Sequence, residues 1–457
     1  MLALTLADVA AACGGRLEAG DPSLVVSRVT TDSRTVRAGD LFVGLRGETF
    51  DGDDFAGDAV AGGAVAAVVR TETAASLPAD VARIVVADGL VALTALASEV
   101  RRRSAARVVA ITGSAGKTST KDILAALLRP IARTVATRAN LNNEIGVPLT
   151  ILEIEAETEV LVCELAMRGR GQIAELAGIV DPDVGVITNI APVHLELVGT
   201  VEDVAAAKAE IIAEVGQGAV VVPVDEALLE PHLRYHTGRL ITFGGQRGDV
   251  RVISAEQRGY TTYALIDAFG RRAGFDFSFS GGHYLQDSLA ALGAFLALGY
   301  GLDDAKAGAR EVQFSDLRGQ LVPLADGGLL LNDAYNANPL SMTAALDHLV
   351  AIAGERPMVA FLGDMYELGA DERAYHREVG AHAARCGVRV AAIGDLARDF
   401  LTGAPGETWF ATVEECVAAL PGVYSTGSAV LVKASRGLRL ERVADALVGL
   451  IGAEESG

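Results

Sequence analysis

Cysteine is scarce. Cys13, Cys163, Cys386 and Cys416 are the only four in 457 residues, and their wide scatter excludes a CxxC metal site and a disulfide framework. A reducing compartment, the cytoplasm, is the expectation. Proline is scarce too, 13 residues against 51 glycines; with 50% hydrophobic and 21% charged residues, this composition fits a globular chain with many tight turns rather than a disordered one. Positive charge is also short. Lys and Arg number 39 against 59 Asp and Glu, and the resulting net charge of −20 repels nucleic acid and anionic membranes at long range. Neither is an expected partner, and any anionic ligand needs a local positive site. The apolar start, Met1 to Cys13, lacks a basic head and carries Asp8. It reads as a short helix over Leu6–Cys13 stopped by Gly14-Gly15, not as an export signal. The uncharged stretch Ser288 to Leu302 is shorter than the ~20 residues a membrane span requires, so no membrane insertion is expected. There is no fixed-period repeat and no low-complexity segment beyond ordinary alanine richness.

At one domain per roughly 150 residues, the length suggests about three domains. The first hundred residues mix short strands (Leu41 to Leu45, Val65 to Val69, Ile84 to Val86) with Gly- and Asp-rich turns, ending in Arg101-Arg102-Arg103, which reads as a linker. From Arg107 the rhythm changes to apolar strands followed by Ala-rich helices. Val108 to Thr112, Val160 to Leu165 and Val184 to Asn189 read as buried parallel strands. The pattern breaks around Gln313 to Gly319 and restarts with Leu329 to Leu331, Met358 to Leu362, Val390 to Ile393 and Ala429 to Val432. The expected fold class is α/β in three domains: a small α/β domain at 1–103, a central parallel-sheet domain with a P-loop at 104–314, and a C-terminal Rossmann-like domain at 315–457.

The strongest local signal is Thr112-Gly113-Ser114-Ala115-Gly116-Lys117-Thr118, placed between a strand and a helix with the apolar stripe Ile123, Leu124, Leu127, Leu128. Backbone N–H groups of such a loop wrap a phosphate, and the helix N-terminus adds partial positive charge. Lys117 then reaches the outer phosphates, and the Thr118 hydroxyl is a candidate Mg²⁺ ligand. ATP or GTP is the implied ligand. The full pattern asks for glycine where Ile111 stands, and a plain Gly-rich strand-to-helix turn is the alternative.

Glu164 falls at the carboxyl end of a predicted strand, and His194 falls just past the next one. In an open parallel sheet, ligands sit outside the carboxyl ends of strands, so the P-loop, Glu164 and His194 are expected to meet there and offer Mg²⁺ an oxygen and a nitrogen. Singly, each has a plainer reading as a solvated acid or a hydrogen-bonded histidine. Lys208 stands on an Ala-rich helix and by default is solvated along its stem. Partly buried, it would have a lowered pKa, and its neutral amine would take up CO₂ to form a carbamate, an anionic metal ligand.

With these residues in view, the chain resembles the Mur ligase family from about Thr31 to Leu440. In the first domain, Thr31-Asp32-Ser33-Arg34, Ala38 through Glu48 and Phe50-Asp51-Gly52 are similar to the family's UDP-sugar-binding stretch, which implies Ser33, Arg34, Gly47 and Asp51 as substrate contacts. Asn140 through Pro148 resembles the segment that contacts the muramyl substrate, which implies Asn140, Asn142 and Asn143. Asn189 through Glu196, followed by Lys208-Ala209-Glu210-Ile211, resembles the family's metal histidine and carbamylated lysine. Lys117, Glu164, His194 and Lys208 are then the implied catalytic set, with Thr118, Glu164, His194 and Lys208 around Mg²⁺. The implied ATP set is Gly113, Ser114, Ala115, Gly116, Lys117, Thr118 and Ser119, with His283, Asp287, Arg318, Asp333 and Tyr335. Asn332 through Pro339, with Leu362 through Gly369, resembles the members that add D-alanyl-D-alanine rather than a diamino acid, and implies Asn336 as a substrate contact. The chain departs from the family pattern at Asp53, Ala166, Arg170, Tyr284, Asp287, Gln320 and Ala434. Asp287 stands where an amide is usual, and an ionised carboxylate cannot donate.

The resemblance implies ATP-driven amide bond formation through an acyl phosphate, joining D-alanyl-D-alanine to UDP-N-acetylmuramoyl-tripeptide, by a cytoplasmic enzyme expected to be a monomer. Rivals are another Mur-type or folylpolyglutamate-type ligase, a P-loop NTPase switch, and an inactive scaffold.

Overall fold

The computed structural model describes residues 1–401 and 408–453. They form two compact units. The first comprises Met1–Ala110, Ile131–Met167 and Ile173–Val184; the second comprises Ile111–Pro130, Arg168–Gln172 and Gly185–Gly457.

In the first unit, a five-stranded sheet runs Arg16–Glu18, Arg83–Val86, Ala66–Arg70, Asp40–Val43, Arg28–Thr30 from edge to edge. All neighbours are parallel except the first pair, and the inner strands are buried on both faces, as their unbroken apolar runs require. The expected helix is present at Leu6–Cys13, closed by Gly14 in a left-handed conformation. Arg101-Arg102-Arg103 is not a linker. It forms the last turn of the helix Gly89–Arg103, where cations complement the carbonyl end of the helix dipole; Arg101 donates to the Val180 and Asp181 carbonyls. The same unit holds Val160–Glu164, paired in parallel with Thr134–Ala136.

The second unit carries the strands Ala219–Pro223 and Arg239–Gly244 in parallel, followed by an antiparallel ribbon of Val250–Arg258, Thr261–Ala268 and Arg271–Phe277. This antiparallel ribbon was not anticipated; it extends the parallel arrangement expected for the middle of the chain. Ala273, Phe275 and Phe277 are buried while Arg272 and Gly274 are exposed and Asp276 is half-buried, the period-2 pattern of a half-buried strand. Further along, a six-stranded sheet runs Gln320–Pro323, Leu329–Asn332, Ala429–Lys433, Met358–Gly363, Arg389–Ile393, Thr408–Phe410, parallel except for its first pair. Apolar clusters cover both of its faces, one around Leu346, Leu349 and Phe400 and the other around Phe361, Leu420 and Leu447. This is the Rossmann-like arrangement expected. No helix among the described residues is long and apolar enough to cross a membrane.

Candidate functional site

The loop Thr112 to Thr118 joins the strand Arg107–Thr112 to the helix Lys117–Leu128, whose Ile123, Leu124, Leu127 and Leu128 are fully buried. Its conformation depends on two glycines. Gly113 has φ +149° with Thr188 Oγ1 only 1.9 Å from where a Cβ would stand, and Gly116 has φ +76° with Asp287 Oδ1 at 2.3 Å, so no side chain is tolerated at either. Neighbouring backbone and side chains pin the loop. Ser114 Oγ donates to the Ala191 carbonyl and accepts from the Ala191 N–H, and the Asn189 amide accepts from Ala115 N–H at 2.9 Å and donates to its carbonyl at 3.0 Å. Lys117 Nζ donates to the Gly113 carbonyl at 2.8 Å, which folds the ammonium back over its own loop. Thr118 and Ser119 are buried at the first turn of the helix. The arrangement is a preformed anion cradle with one fixed cation.

Two further implied residues gather beside it. Lys208, on the helix Val201–Glu214, is only 2% exposed. Burial, with the Lys117 charge adding to it, drives its pKa well below the ordinary lysine value. The shift is toward the neutral amine that a carbamate requires. His194 sits in a left-handed backbone conformation at φ 55°, and its Nδ1 meets the carboxylate of Glu367, itself at φ 64°. Left-handed non-glycine residues are uncommon, and a pair of them in contact marks a place where the surrounding structure overrides local preference. Burial pulls the imidazole below its ordinary pKa, the Glu367 carboxylate pulls it back up, and the Lys117 charge acts with burial. With Nδ1 engaged by a carboxylate, Nε2 is the ring nitrogen left for a metal, the usual way an imidazole ligand is oriented. The Thr118 hydroxyl and, once carbamylated, Lys208 would offer Mg²⁺ the oxygen donors it prefers, with the His194 imidazole beside them. Glu367 was missed as a functional residue; it stood in the quoted Leu362–Gly369 motif, but nothing in spacing points it at His194.

The nucleotide-side residues also converge. The helix Gly282–Ala297 begins with His283 and Tyr284, whose rings pack 3.9 Å apart, while Tyr284 stacks on Phe314 at 4.1 Å. Burial and the nearby His348 lower the His283 pKa to about 3, leaving a neutral ring. Arg318 lies over the Tyr335 ring at 4.0 Å, whereas Gln320 is exposed on the edge strand. Asp333 accepts from Gly319 N–H at 3.1 Å and from Lys433 Nζ at 2.5 Å, and Lys433 also donates to the Asn336 carbonyl. Lys433, 3% exposed, therefore fixes the Asp333 carboxylate. The Asn336 side chain is exposed, and Asn338 Nδ2 reaches the Ser114 carbonyl at 3.4 Å while Asn338 caps the helix Pro339–Ala353. The third segment of the chain thus touches the P-loop itself.

Asp287 is not an exposed helix acid. It is 8% exposed, and burial raises its pKa well above the ordinary carboxylate value, against the pull of Arg318. A carboxylic acid that keeps its proton can donate as an amide does, and burial pushes Asp287 in that direction. Because the folded state holds this proton more tightly than the unfolded chain, its stabilising contribution is complete at low pH and is lost as pH rises through the folded-state value. We expect Asp287→Asn to remove that loss. Urea midpoints of the two proteins followed upward from pH ~4 should diverge in favour of the variant, and parallel curves would show that Asp287 is ionised.

In the first unit, Glu164 ends its strand as expected and is 1% exposed. Its Oε1 accepts from Asn142 Nδ2 at 2.7 Å, and its N–H donates to Thr137 Oγ1. Asn142 is therefore committed to the acid, and Asn143 Oδ1 turns back to the Ile145 and Gly146 N–H groups; Asn140 is exposed. Ser33 and Arg34 lie in the 3₁₀ turn Ser33–Thr35, where the exposed Arg34 pairs with Asp32 through two hydrogen bonds. Gly47 closes a tight turn onto the Phe50 carbonyl. Asp51 pairs with Arg70, whose Nε and N–H both donate to the fully buried Asp53. Arg70 and Asp53, to which the motif reading gave no role, are what hold Asp51.

Models of the "Mur ligase family, catalytic domain", the "Mur ligase middle domain" and the "Mur ligase, glutamate ligase domain" match residues 25–101, 111–295 and 317–436. The chain is 33% identical over 433 residues to the UDP-N-acetylmuramoyl-tripeptide–D-alanyl-D-alanine ligase of Bacillus subtilis, a span covering 93% of each. Among solved structures it is similar to MurF of Acinetobacter baumannii, with a TM-score of 0.88 and 31% identity over 98% of this chain and 99% of that one. It is also similar to MurF of Thermotoga maritima solved with ADP, with a TM-score of 0.80 and 30% identity over 92% of this chain and 96% of that one. The chain belongs to the Mur ligase family.

Proposed function

We propose that this protein is an ATP-dependent ligase that joins D-alanyl-D-alanine to UDP-N-acetylmuramoyl-tripeptide, in the cytoplasm and as a monomer. The observation that carries the reading is the joining of the P-loop to the Asn332–Pro339 motif through Asn338 and Ser114, in a chain alike over nearly its whole length to a ligase of that name. The three matched segments support domain boundaries near 1–103, 104–314 and 315–457.

The N–H groups of residues 113 to 118 hold the outer phosphates of ATP. Lys117 swings from the Gly113 carbonyl to the transferring phosphoryl group and neutralises charge as the tripeptide carboxylate attacks in line. Thr118, His194 and the carbamate of Lys208 would hold Mg²⁺, which would add to the neutralisation of phosphate charge. Asp333, fixed by Lys433, accepts from the ribose, and Tyr335 with Arg318 lies beside the base. Ser33, Arg34, Gly47 and Asp51 hold the UDP-sugar end, Asn140, Asn142 and Asn143 contact the muramyl substrate, and Asn336 is a further substrate contact. The acyl phosphate then yields to the free amine of D-alanyl-D-alanine, releasing phosphate and forming the amide.

The deciding experiment measures ADP release and product mass with ATP, Mg²⁺, the UDP-muramyl-tripeptide and D-alanyl-D-alanine, each omitted in turn. Release that depends on both substrates is expected; amine-independent hydrolysis would favour a nucleotide switch. A second prediction concerns Glu367. Glu367→Ala should raise the Mg²⁺ concentration for half-maximal turnover by about 10–100-fold while saturating Mg²⁺ restores kcat, because only the orientation of His194 is lost. An unchanged Mg²⁺ requirement would reduce Glu367 to a packing contact.

A further inference from the structure

Away from the P-loop, three side chains of different chemistry meet on the outer face of the Rossmann-like segment. Asp347 lies on the helix Pro339–Ala353, and His382 and Cys386 lie on and just after the helix Glu372–Arg385. Their donor atoms all lie within 4.8 Å of one another, the only such group of histidine, cysteine and carboxylate found among the described residues. His382 Nε2 stands 2.7 Å from Asp347 Oδ1 and 3.6 Å from Cys386 Sγ. The Cys386 N–H donates to the His382 carbonyl, so the helical turn carries on and stacks the two side chains four residues apart on one face.

From these positions we propose that Asp347, His382 and Cys386 form a binding site for a thiophilic divalent cation, Zn²⁺ above all, that staples the two helices together. Ligands around a tetrahedral zinc, with bonds of ~2.0–2.3 Å, stand about 3.4–3.6 Å apart. The nitrogen-to-sulfur separation already has that value, and the nitrogen-to-oxygen pair opens by under about 1 Å to admit the ion. One carboxylate, one imidazole and one thiolate are the donor types that favour zinc over Mg²⁺ or Ca²⁺. Asp347 is exposed, which provides an entry path and leaves room for water as the fourth ligand. Without a metal, burial and the Asp347 charge keep the Cys386 thiol protonated. On binding, the S–H bond breaks, the sulfur–metal bond forms and the proton passes to buffer, so the two anionic ligands balance the dication. Arg385 Nη2 stands 3.5 Å from His382 Nδ1 and belongs to an exposed side chain; on metal binding it would turn away, leaving that nitrogen its proton.

The site stands independently of the ligase reaction, and its test does not use activity. The full-length protein, stripped with chelator, is titrated with Co²⁺ and then with Zn²⁺ against a chromophoric chelator. One equivalent of Co²⁺ should bring a thiolate-to-metal charge-transfer band that Zn²⁺ abolishes. Cys386→Ser should erase the band, and His382→Ala and Asp347→Asn should each weaken Zn²⁺ binding by about 10-fold or more. Circular dichroism establishes that each variant is folded, and Asp347→Asn, at an exposed position, is the variant least able to disturb the core. Absence of the charge-transfer band, or equal Zn²⁺ affinity in the native protein and in folded variants, overturns the site.

Discussion

Lys117→Ala is expected to lower the rate of ADP formation by about three orders of magnitude, equivalent to about 4 kcal/mol of lost transition-state stabilisation, without unfolding the protein. The fold survives because the ammonium makes a hydrogen bond to its own loop, at the Gly113 carbonyl, and the loop has further anchors in the Ser114–Ala191 and Ala115–Asn189 pairs. The loss falls on kcat because charge on the transferring phosphoryl group grows between ground state and transition state, and a fixed cation acts on that difference. Single-turnover measurement of labelled ATP separates the two effects: binding changes little while chemistry slows. Near-native phosphoryl transfer in this variant would remove Lys117 from the mechanism.

The second large effect is expected at Lys208. Lys208→Ala should reduce turnover by about 10²–10³-fold, and Lys208→Arg should be no better, since a guanidinium stays charged and forms no carbamate. The physical cause is the burial of an amine at 2% exposure next to the Lys117 charge, which pushes its pKa down and so favours the neutral form that reacts with CO₂. Removing CO₂ and bicarbonate from the native enzyme should therefore depress activity reversibly, with bicarbonate restoring it. Intact mass of the native protein in bicarbonate should show the added carboxyl group, absent from both variants. Activity indifferent to CO₂, together with an unmodified lysine, would leave Lys208 as a buried cation with no part in metal binding.

Periodicity and motif made much of this legible. The strands Asp40–Val43, Val160–Glu164, Met358–Gly363 and Ala429–Lys433 stand within a residue or two of the apolar runs that announced them, because parallel strands buried on both faces leave an unmistakable hydrophobic signature. The antiparallel ribbon Val250–Phe277 was passed over because its signal is alternation, diluted by arginines and glutamates on the exposed side. The run Arg101 to Arg103 was misread as a linker because clustered charge looks alike in a loop and in a helix's last turn; the carbonyls it meets at Val180 and Asp181 are remote in sequence. Asp53 stood out only as a departure from the family pattern, and its burial against Arg70 shows why an acid is there.

The order of the residues by itself determined the phosphate loop, the alternation of strands and helices, and membership in a ligase family, since each is written in spacing along one stretch of chain. Only the tertiary structure decided the direction in which the Lys208 and Asp287 pKa values move, the pairing of His194 with Glu367, and the contact of Asn338 with the Ser114 carbonyl. These are matters of desolvation and of contact between segments distant in sequence, and both depend on what the folded chain places around a group rather than on which residues precede and follow it.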